Sequence, residues 1–592
     1  MSFLSALQGE EFAIFEKYLL PVQFTRNSCI LREGDPGDGC YIIDEGTIRL
    51  ELKNVETDTD SVIGFLESGM FLGEFSLLDG KPRSASAYAH TDVKARWFPK
   101  ESYEEICQHH PKVGLNIATA LGQNLTTKLR EFNEKITGYI FAGDIDKDTH
   151  EMVACAVKAQ KSFEKWPEDR VDALLRDVAE TIAERAGELA DATVAETDMG
   201  IVTDKVIKIR FASLEVCKTI LGHSAAGLLE TDPQSQVTKI ASPVGVVLGL
   251  IPVTNPVPTI VFKALITLKG RNALILSCHR RALGVGSRAG DIIRDVLQRH
   301  RAPKDLVQSI RQRTSRQKTM MFMNHPGVSL ILATGGTSMV KAAYSSGTPA
   351  IGVGSGNAPV LICTDADFST AAQAIIQSKS FDNGIICGSE NNLVVVASIR
   401  DNFIKMLEAY GAIILRADEK NRLTAQCFDP DNLSLKSSII GKTAQFIADS
   451  AWIRRDKDIR LIVVTIRQDE LQGPYGHEKL APILSLCVVN DEVEGIQLCK
   501  QILINQGRGH TAVIYTQNQE LMKQFGLEIE ASRILVNSPA SQGCIGIGTG
   551  LTPSFTLGCG TFGGNSTTDN VSYIHLLNIK RLALKLQEHP LE

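Results

Sequence analysis

The chain has 592 residues, of which 43% are apolar and 22% charged; that is enough apolar surface for several buried cores and far from the composition of a disordered segment. A formal charge of −6 over this length supplies no basic field for nucleic acid and no polybasic anchor for a membrane, so small molecules are the expected partners. The 13 cysteines, scattered from Cys29 to Cys559 with no C-x-x-C pair and no zinc-type spacing, point to free thiols in a reducing cytoplasm and to no metal site.

The opening MSFLSALQGEEF lacks a basic region followed by an apolar one, so no secretory leader is expected. Up to about Phe132, short β-like runs alternate with Gly/Asp turns, as in CILREGDPGDGCYIIDEGTIRLEL, which suggests a small β-roll or barrel. HHPKVGLNIATALGQNLTTKLREFNEKI then carries apolar residues at helical spacing and predicts one long exit helix. GYIFAGDIDKDTH is the expected joint, giving a front domain over 1–135, a linker over 136–148 and a second domain over 149–592. The second domain starts with amphipathic helices and continues as apolar strands alternating with helices: VGVVLGLIP, ALILS, VSLILATGG, AIGVG, NLVVVAS, LIVVTI and HTAVIYT. That alternation predicts an α/β fold with open, mostly parallel sheets. The apolar stretch Pro243 to Phe262 is interrupted by Pro252, Pro256 and Pro258, so it reads as strand, turn and helix rather than as a membrane span.

In the front domain, FLGEFSLLDGKPRSASA holds Gly73 and Glu74, then Arg83, Ser84 and Ala85 behind a loop with Gly80 and Pro82. A cyclic phosphodiester on a ribose demands a planar cationic donor fork and an acceptor for the free 2′-hydroxyl, and Arg83 and Glu74 are residues of that kind. Ser84 and the N–H groups of a short turn can complete the anion cradle. The segment resembles the cyclic-nucleotide-binding domains of catabolite-activator-type regulators and cyclic-nucleotide-dependent kinases, through its G-E and P-R-S-A cassette and the glycine-rich run Gly34 to Gly46. The resemblance implies that Gly73, Glu74, Arg83, Ser84 and Ala85 hold cAMP, with Thr126 and Thr127 on the exit helix meeting the purine. The competing reading is a Glu74–Arg83 ion pair in a roll that has lost its ligand.

In the second domain, FDNGIICGSENNLVVV delivers Cys387 from a glycine-bearing loop just before an apolar strand. A nucleophilic thiol has to be reachable and helped toward thiolate. Taken singly, such a cysteine is also what a small apolar core residue looks like. Asn255 stands at a strand end before the helix begun by Pro256, where its amide and the backbone N–H of Cys387 suit a tetrahedral oxyanion. VSLILATGGTSMVKAAY is strand, turn and helix, so Gly335, Gly336 and Thr337 can face a pyrophosphate. GVGSRAG near Gly284 and GVGSG near Gly352 imitate dinucleotide fingerprints without the full spacing and read as packing glycines.

From about Thr149 to Lys585 the chain resembles the aldehyde dehydrogenase superfamily, and within it the CoA-acylating acetaldehyde dehydrogenases. The stretches that carry this are ETDMGIVTDKVIKIRFAS, IPVTNPVPTIVFKALITLKGRNALI, LATGGTSMVKAAYSSGTPAIGVGSGNAPV, SKSFDNGIICGSE, HEKLAPIL and TLGCGTFGGNS. The resemblance implies Rossmann-type cofactor and catalytic parts, with 149–365 and 560–592 for cofactor and oligomerisation and 366–559 for catalysis. It further implies Cys387 as nucleophile, Asn255 as oxyanion donor, Glu478 as a contact to the nicotinamide ribose, and a homo-oligomer. Hydrolytic members activate water with a glutamate where this chain has Gly352; without that base, coenzyme A is the expected acyl acceptor. His477 is a candidate base for its thiol, the alternative being a partly buried, hydrogen-bonded histidine. Ser277, Cys278, His279 and Arg280 replace the usual adenosine-side K-P-S-E, so NAD rests on the subfamily resemblance alone.

The expected reaction is aldehyde plus CoA plus NAD to acyl-CoA plus NADH, in either direction, regulated by cAMP at the front domain. Two rivals stand beside it: the same chemistry on propionaldehyde or a functionalised short aldehyde, and a non-enzymatic cyclic-nucleotide sensor with a dehydrogenase-like scaffold.

Overall fold

The computed structural model describes residues 10–53, 60–74, 81–122, 142–311, 316–430 and 433–585. The chain divides into two compact units, 1–143 and 144–592.

The front unit consists of two four-stranded antiparallel sheets. One has the spatial order Leu20–Phe24, Val93–Pro99, Gly39–Glu45 and Phe71–Leu72; the other has Cys29–Leu31, Ser86–Ala89, Ile48–Lys53 and Asp60–Leu66. Alternate side chains of Val93–Pro99 turn to opposite faces, so Val93 and Ala95 enter one core while Lys94 is exposed, and Phe98, on the opposite face, enters the core shared with the flanking helices. Phe15 and Phe98 meet edge to face at 4.9 Å in the core under the flanking helices. The exit helix is described over 111–122, with Pro111 at its first position, where a missing N–H costs nothing. Thr126 and Thr127 lie outside the described residues.

Residues 142–148, expected as linker, form the start of the helix Ala142–Phe163.

The second unit contains two parallel sheets and a small antiparallel one. The five-stranded sheet runs, in spatial order, Val307–Ser309, Ala273–Cys278, Val246–Ile251, Leu330–Thr334 and Ala350–Val353. Chain order reverses between Val246–Ile251 and Leu330–Thr334, which is where an open α/β sheet leaves a crevice at its carboxyl edge. The seven-stranded sheet runs Ala412–Ile414, Leu461–Thr465, Ile483–Val489, Glu390–Val396, Ala358–Ile362, Gly509–Tyr515 and Ala531–Val536. Residues of Val246–Ile251, Ala273–Cys278 and Glu390–Val396 are buried without alternation, as strands covered on both faces must be. Ala358–Ile362 bonds to Glu390–Val396 and Gly509–Tyr515, so it belongs to the seven-stranded sheet although it lies before the boundary expected at 366. An apolar run cannot say which of two sheets it will join. A third, antiparallel sheet joins Leu577–Ala583 to Val237–Pro243 and Gly227–Asp232.

Among the described residues, no helix is long and apolar enough to cross a membrane, and no cluster of His, Cys, Asp and Glu could hold a metal ion. The helix Pro256–Lys269 is buried along its whole length, which leaves Lys269 without water. Its ammonium is met by Glu168 at 2.6 Å and Asp172 at 2.7 Å, and Glu168 also accepts from Arg271 at 3.0 Å. Burial alone would raise the Glu168 carboxyl; the two cations outweigh it and hold the group below the usual carboxylate range. Glu168→Ala leaves Lys269 with Asp172 alone and is expected to cost about 2–3 kcal/mol, read as a lower urea midpoint for the second unit.

Candidate functional site

Two places in the chain gather polar groups that folding would not otherwise bury, one in each unit.

In the front unit, Arg83 and Glu74 are 4% and 2% exposed. The Arg83 guanidinium donates to the carbonyls of Gly39 at 2.8 Å and Gly73 at 3.0 Å, and pairs with Asp38 at 2.8 Å. Its Nε is buried with no acceptor. Gly73 has φ +87, and a Cβ there would collide with the guanidinium, so glycine is required. The run after Gly34 is stitched to Arg83 by Gly34 N–H to Arg83 O (2.8 Å) and Arg83 N–H to Asp35 O (2.9 Å), which brings the two sequence motifs to one spot. Ser84 is exposed and Ala85 half-buried beside them. Asp38 received no role from the sequence, although it stands in the glycine-rich run.

In the second unit a cavity of about 720 Å³ opens at the carboxyl edge of the five-stranded sheet. Its wall includes Asn255, Ser277, Gly335, Gly336, Cys387 and Glu478, so the fold gathers these predicted residues from positions far apart in the chain. Thr337 starts the helix Thr337–Tyr344, capped by Gly336, and Ser338 lines the cavity behind it. Ser277 closes the strand Ala273–Cys278, with His279 and Arg280 next to it on the wall. Burial, then the charges of Arg280 and Arg281, push the His279 imidazole below its ordinary range. His477 is absent from this wall: it is half-buried, with Nδ1 2.9 Å from the Gly473 carbonyl.

Cys387 follows a tight loop in which Asp382 (φ 47), Asn383 (φ 56) and Gly384 (φ 71) are all left-handed. A Cβ on Gly356 would land on the Cys387 carbonyl, so only glycine lets the 354–357 loop pass this close. Asn255 has non-helical dihedrals ahead of the helix Pro256–Lys269; its Nδ2 donates to Ile385 O at 3.1 Å, two residues before Cys387. Burial, followed by the charges of Cys544 and Glu478, pushes the Cys387 thiol well above its ordinary value, with Arg533 opposing. Glu478 accepts from Gly356 N–H at 3.1 Å and is raised by burial to about 7, against the pull of that N–H and of Lys379 and Lys479.

Two glycine motifs turn out to be packing devices. A Cβ on Gly352 would strike Val340 at 2.6 Å and Tyr344 at 2.8 Å, so no carboxylate can stand there. The N-terminus of the helix Leu283–Arg299 is filled by Glu196, which accepts from Gly284 N–H at 2.8 Å and Val285 N–H at 2.6 Å and leaves no place for a phosphate. Sequence reasoning missed the buried Lys205, Lys208 and Asp382 group, which touches Asn255. The signal was two lysines three apart in VTDKVIKI, which puts both on one face of a helix.

Residues 21–110 match the cyclic nucleotide-binding domain, and residues 126–556 match the aldehyde dehydrogenase family. The bifunctional aldehyde-alcohol dehydrogenase of Escherichia coli K12 is 39% identical over 441 residues, covering 74% of this chain and 49% of that protein. The chain thus spans about half the length of the first curated relatives it matches. An acetylating succinate-semialdehyde dehydrogenase of Clostridium kluyveri is 33% identical, with 73% of this chain and 94% of that protein covered. The crystal structure of an acetylating aldehyde dehydrogenase from Geobacillus thermoglucosidasius superposes with a TM-score of 0.73 at 39% identity, covering 76% of this chain and 98% of that one. On the match to residues 126–556, and on relatives alike over most of their own length, the chain belongs to the aldehyde dehydrogenase family and carries a cyclic nucleotide-binding domain ahead of that part.

Proposed function

We propose that the second unit is a CoA-acylating aldehyde dehydrogenase, interconverting a short aldehyde, CoA and NAD with acyl-CoA and NADH, and that cAMP bound to the front unit regulates it. One observation carries the first half: Cys387 and Asn255 share a cavity in which Glu478 is the sole carboxylate of the wall among the described residues, while Gly352 has no room for a second. With at most one carboxylate in reach to take a proton, the thioester goes to the acceptor that needs the least activation, and a thiol is intrinsically a better nucleophile than water.

In this reading the Cys387 thiol passes its proton to the Glu478 carboxylate as Sγ attacks the aldehyde carbon to give a thiohemiacetal, and the developing oxyanion takes hydrogen bonds from Asn255 Nδ2 and the Cys387 N–H. Gly335, Gly336 and the helix they open suit the pyrophosphate of NAD, with Ser277, His279 and Arg280 toward its adenosine. When bound, NAD supplies the hydride acceptor. Cys387 then carries the acyl group as a thioester until the thiol of CoA displaces it. Glu478, on the cavity wall and titrating near neutrality, is the better placed acceptor for a thiol proton than His477. In the front unit the buried Arg83 Nε, which has no acceptor among the described residues, is what a cyclic phosphate would satisfy. Acetaldehyde is the substrate favoured by the resemblance of the sequence motifs.

Cys387→Ala is expected to abolish NADH formation, about 10⁴-fold or more, whereas the parent protein makes NADH only when CoA is supplied. Free carboxylic acid forming at full rate without CoA contradicts the proposal. A carboxyl raised to about 7 is protonated below that pH and ionised above it, so activity rises through pH 7 if Glu478 acts as base. Glu478→Gln is expected to remove that limb from the pH profile of kcat. Arg83→Gln is expected to weaken cAMP binding about 100-fold by calorimetry and to erase any effect of cAMP on the rate.

A further inference from the structure

Buried charge collects around Asp382 in a way that neither the proposed chemistry nor core packing accounts for. The side chains of Asp382 and Lys208 are fully buried and that of Lys205 is 3% exposed. Lys205 and Lys208 sit one turn apart on the helix Val202–Arg210, so both ammoniums leave the same face. Asp382 Oδ2 accepts from Lys205 at 3.0 Å and from Lys208; Oδ1 accepts from Ile201 N–H at 2.6 Å. The Asp382 N–H in turn donates to Asp204 at 2.7 Å, and Asn383 Nδ2 donates to Gly441 O at 2.7 Å. These bonds hold the left-handed pair Asp382–Asn383, five and four residues before Cys387.

Lys208 has a second partner. Its ammonium also donates to Asn255 Oδ1. An ammonium has three donors and no acceptor, so the amide must turn its oxygen toward Lys208 and its NH₂ away from it. The NH₂ then points at the Cys387 loop, where it donates to Ile385 O at 3.1 Å.

We infer that Lys208 is a positioning residue: a single buried ammonium ties the Asn255 amide to the loop that carries Cys387, fixing the amide's flip and keeping nucleophile and oxyanion donor in one register. This rests on the proposed role of Cys387 as nucleophile. Lys205, which touches Asp382 but has no bond to Asn255, is the internal control.

The test uses the full chain with Lys208→Met, which removes the ammonium and keeps an unbranched side chain. The expected result is a fall in kcat of about 30- to 100-fold with KM for NAD within about twofold. In an Asn255→Ala background the same change adds less than about threefold, because Lys208 acts through that amide. Lys205→Met costs less than about fivefold. Reaction of Cys387 with iodoacetamide, located by mass spectrometry, speeds up about tenfold in K208M as its loop is released, with the other cysteines unchanged. Asp382→Asn weakens the same clamp from the other side and carries the test if K208M does not fold. An unchanged kcat, full multiplication of effects with N255A, or unchanged alkylation of Cys387 in the folded variant overturns the inference. A parent protein that alkylates at Cys387 but makes no CoA-dependent NADH removes the proposed reaction and leaves the alkylation arm to judge the clamp.

Discussion

A carboxylate taken out of water has to be surrounded by cations and donors, and the way Asp382 obtains them decides where the Cys387 thiol stands. Two lysines from one helix, the Ile201 N–H and Gly200, where a Cβ would strike the Asp382 carboxylate, converge on a loop that is left-handed at three successive positions and whose own Asp382 N–H donates to Asp204. Left-handed backbone at Asp382 and Asn383 is unfavourable by itself and persists because the surroundings over-determine it. From that loop the chain enters a fully buried strand, so Cys387 is anchored on both sides. The rest of the site is arranged around this fixed point.

Burial then acts differently on the two ionisable groups of the cavity. It holds the Cys387 thiol in its neutral form in the free protein and brings the Glu478 carboxyl to about 7, where a small change in surroundings switches its proton. The two groups repel each other once both are charged, so a proton leaving one side favours its retention on the other. A site of this kind is poor in bases yet poised to hand over one proton, which suits a soft thiol better than water.

The front unit solves a related problem with fewer parts. Arg83 is held by two backbone carbonyls and one carboxylate, with its Nε left without an acceptor among the described residues; a Cβ on Gly73 would strike the guanidinium and one on Gly39 the Phe98 carbonyl and the Trp97 ring. The β-roll supplies the frame, since Gly34 and Arg83 exchange backbone hydrogen bonds across it with Asp35.

Local patterns in the sequence were enough for Val246–Ile251, Ala273–Cys278, Leu330–Thr334, Ala350–Val353, Glu390–Val396, Leu461–Thr465 and Gly509–Tyr515, for the Asn255–Pro256 boundary and for the glycine turn before Thr337, because each is set by apolar periodicity or by turn chemistry among neighbours; Val307–Ser309, Ala358–Ile362, Ala412–Ile414, Ile483–Val489 and Ala531–Val536 were not read as strands. The front roll and its G-E and P-R-S cassette were legible for the same reason. What the sequence could not contain was the assignment of Ala358–Ile362 to the second sheet, the distance of His477 from the cavity, or the neutral titration of Glu478. Nor could it show the Lys208 clamp, whose partners lie 47 and 174 residues away along the chain. Burial and charge pairing are properties of a closed core, and they come into being only when segments remote in sequence pack together.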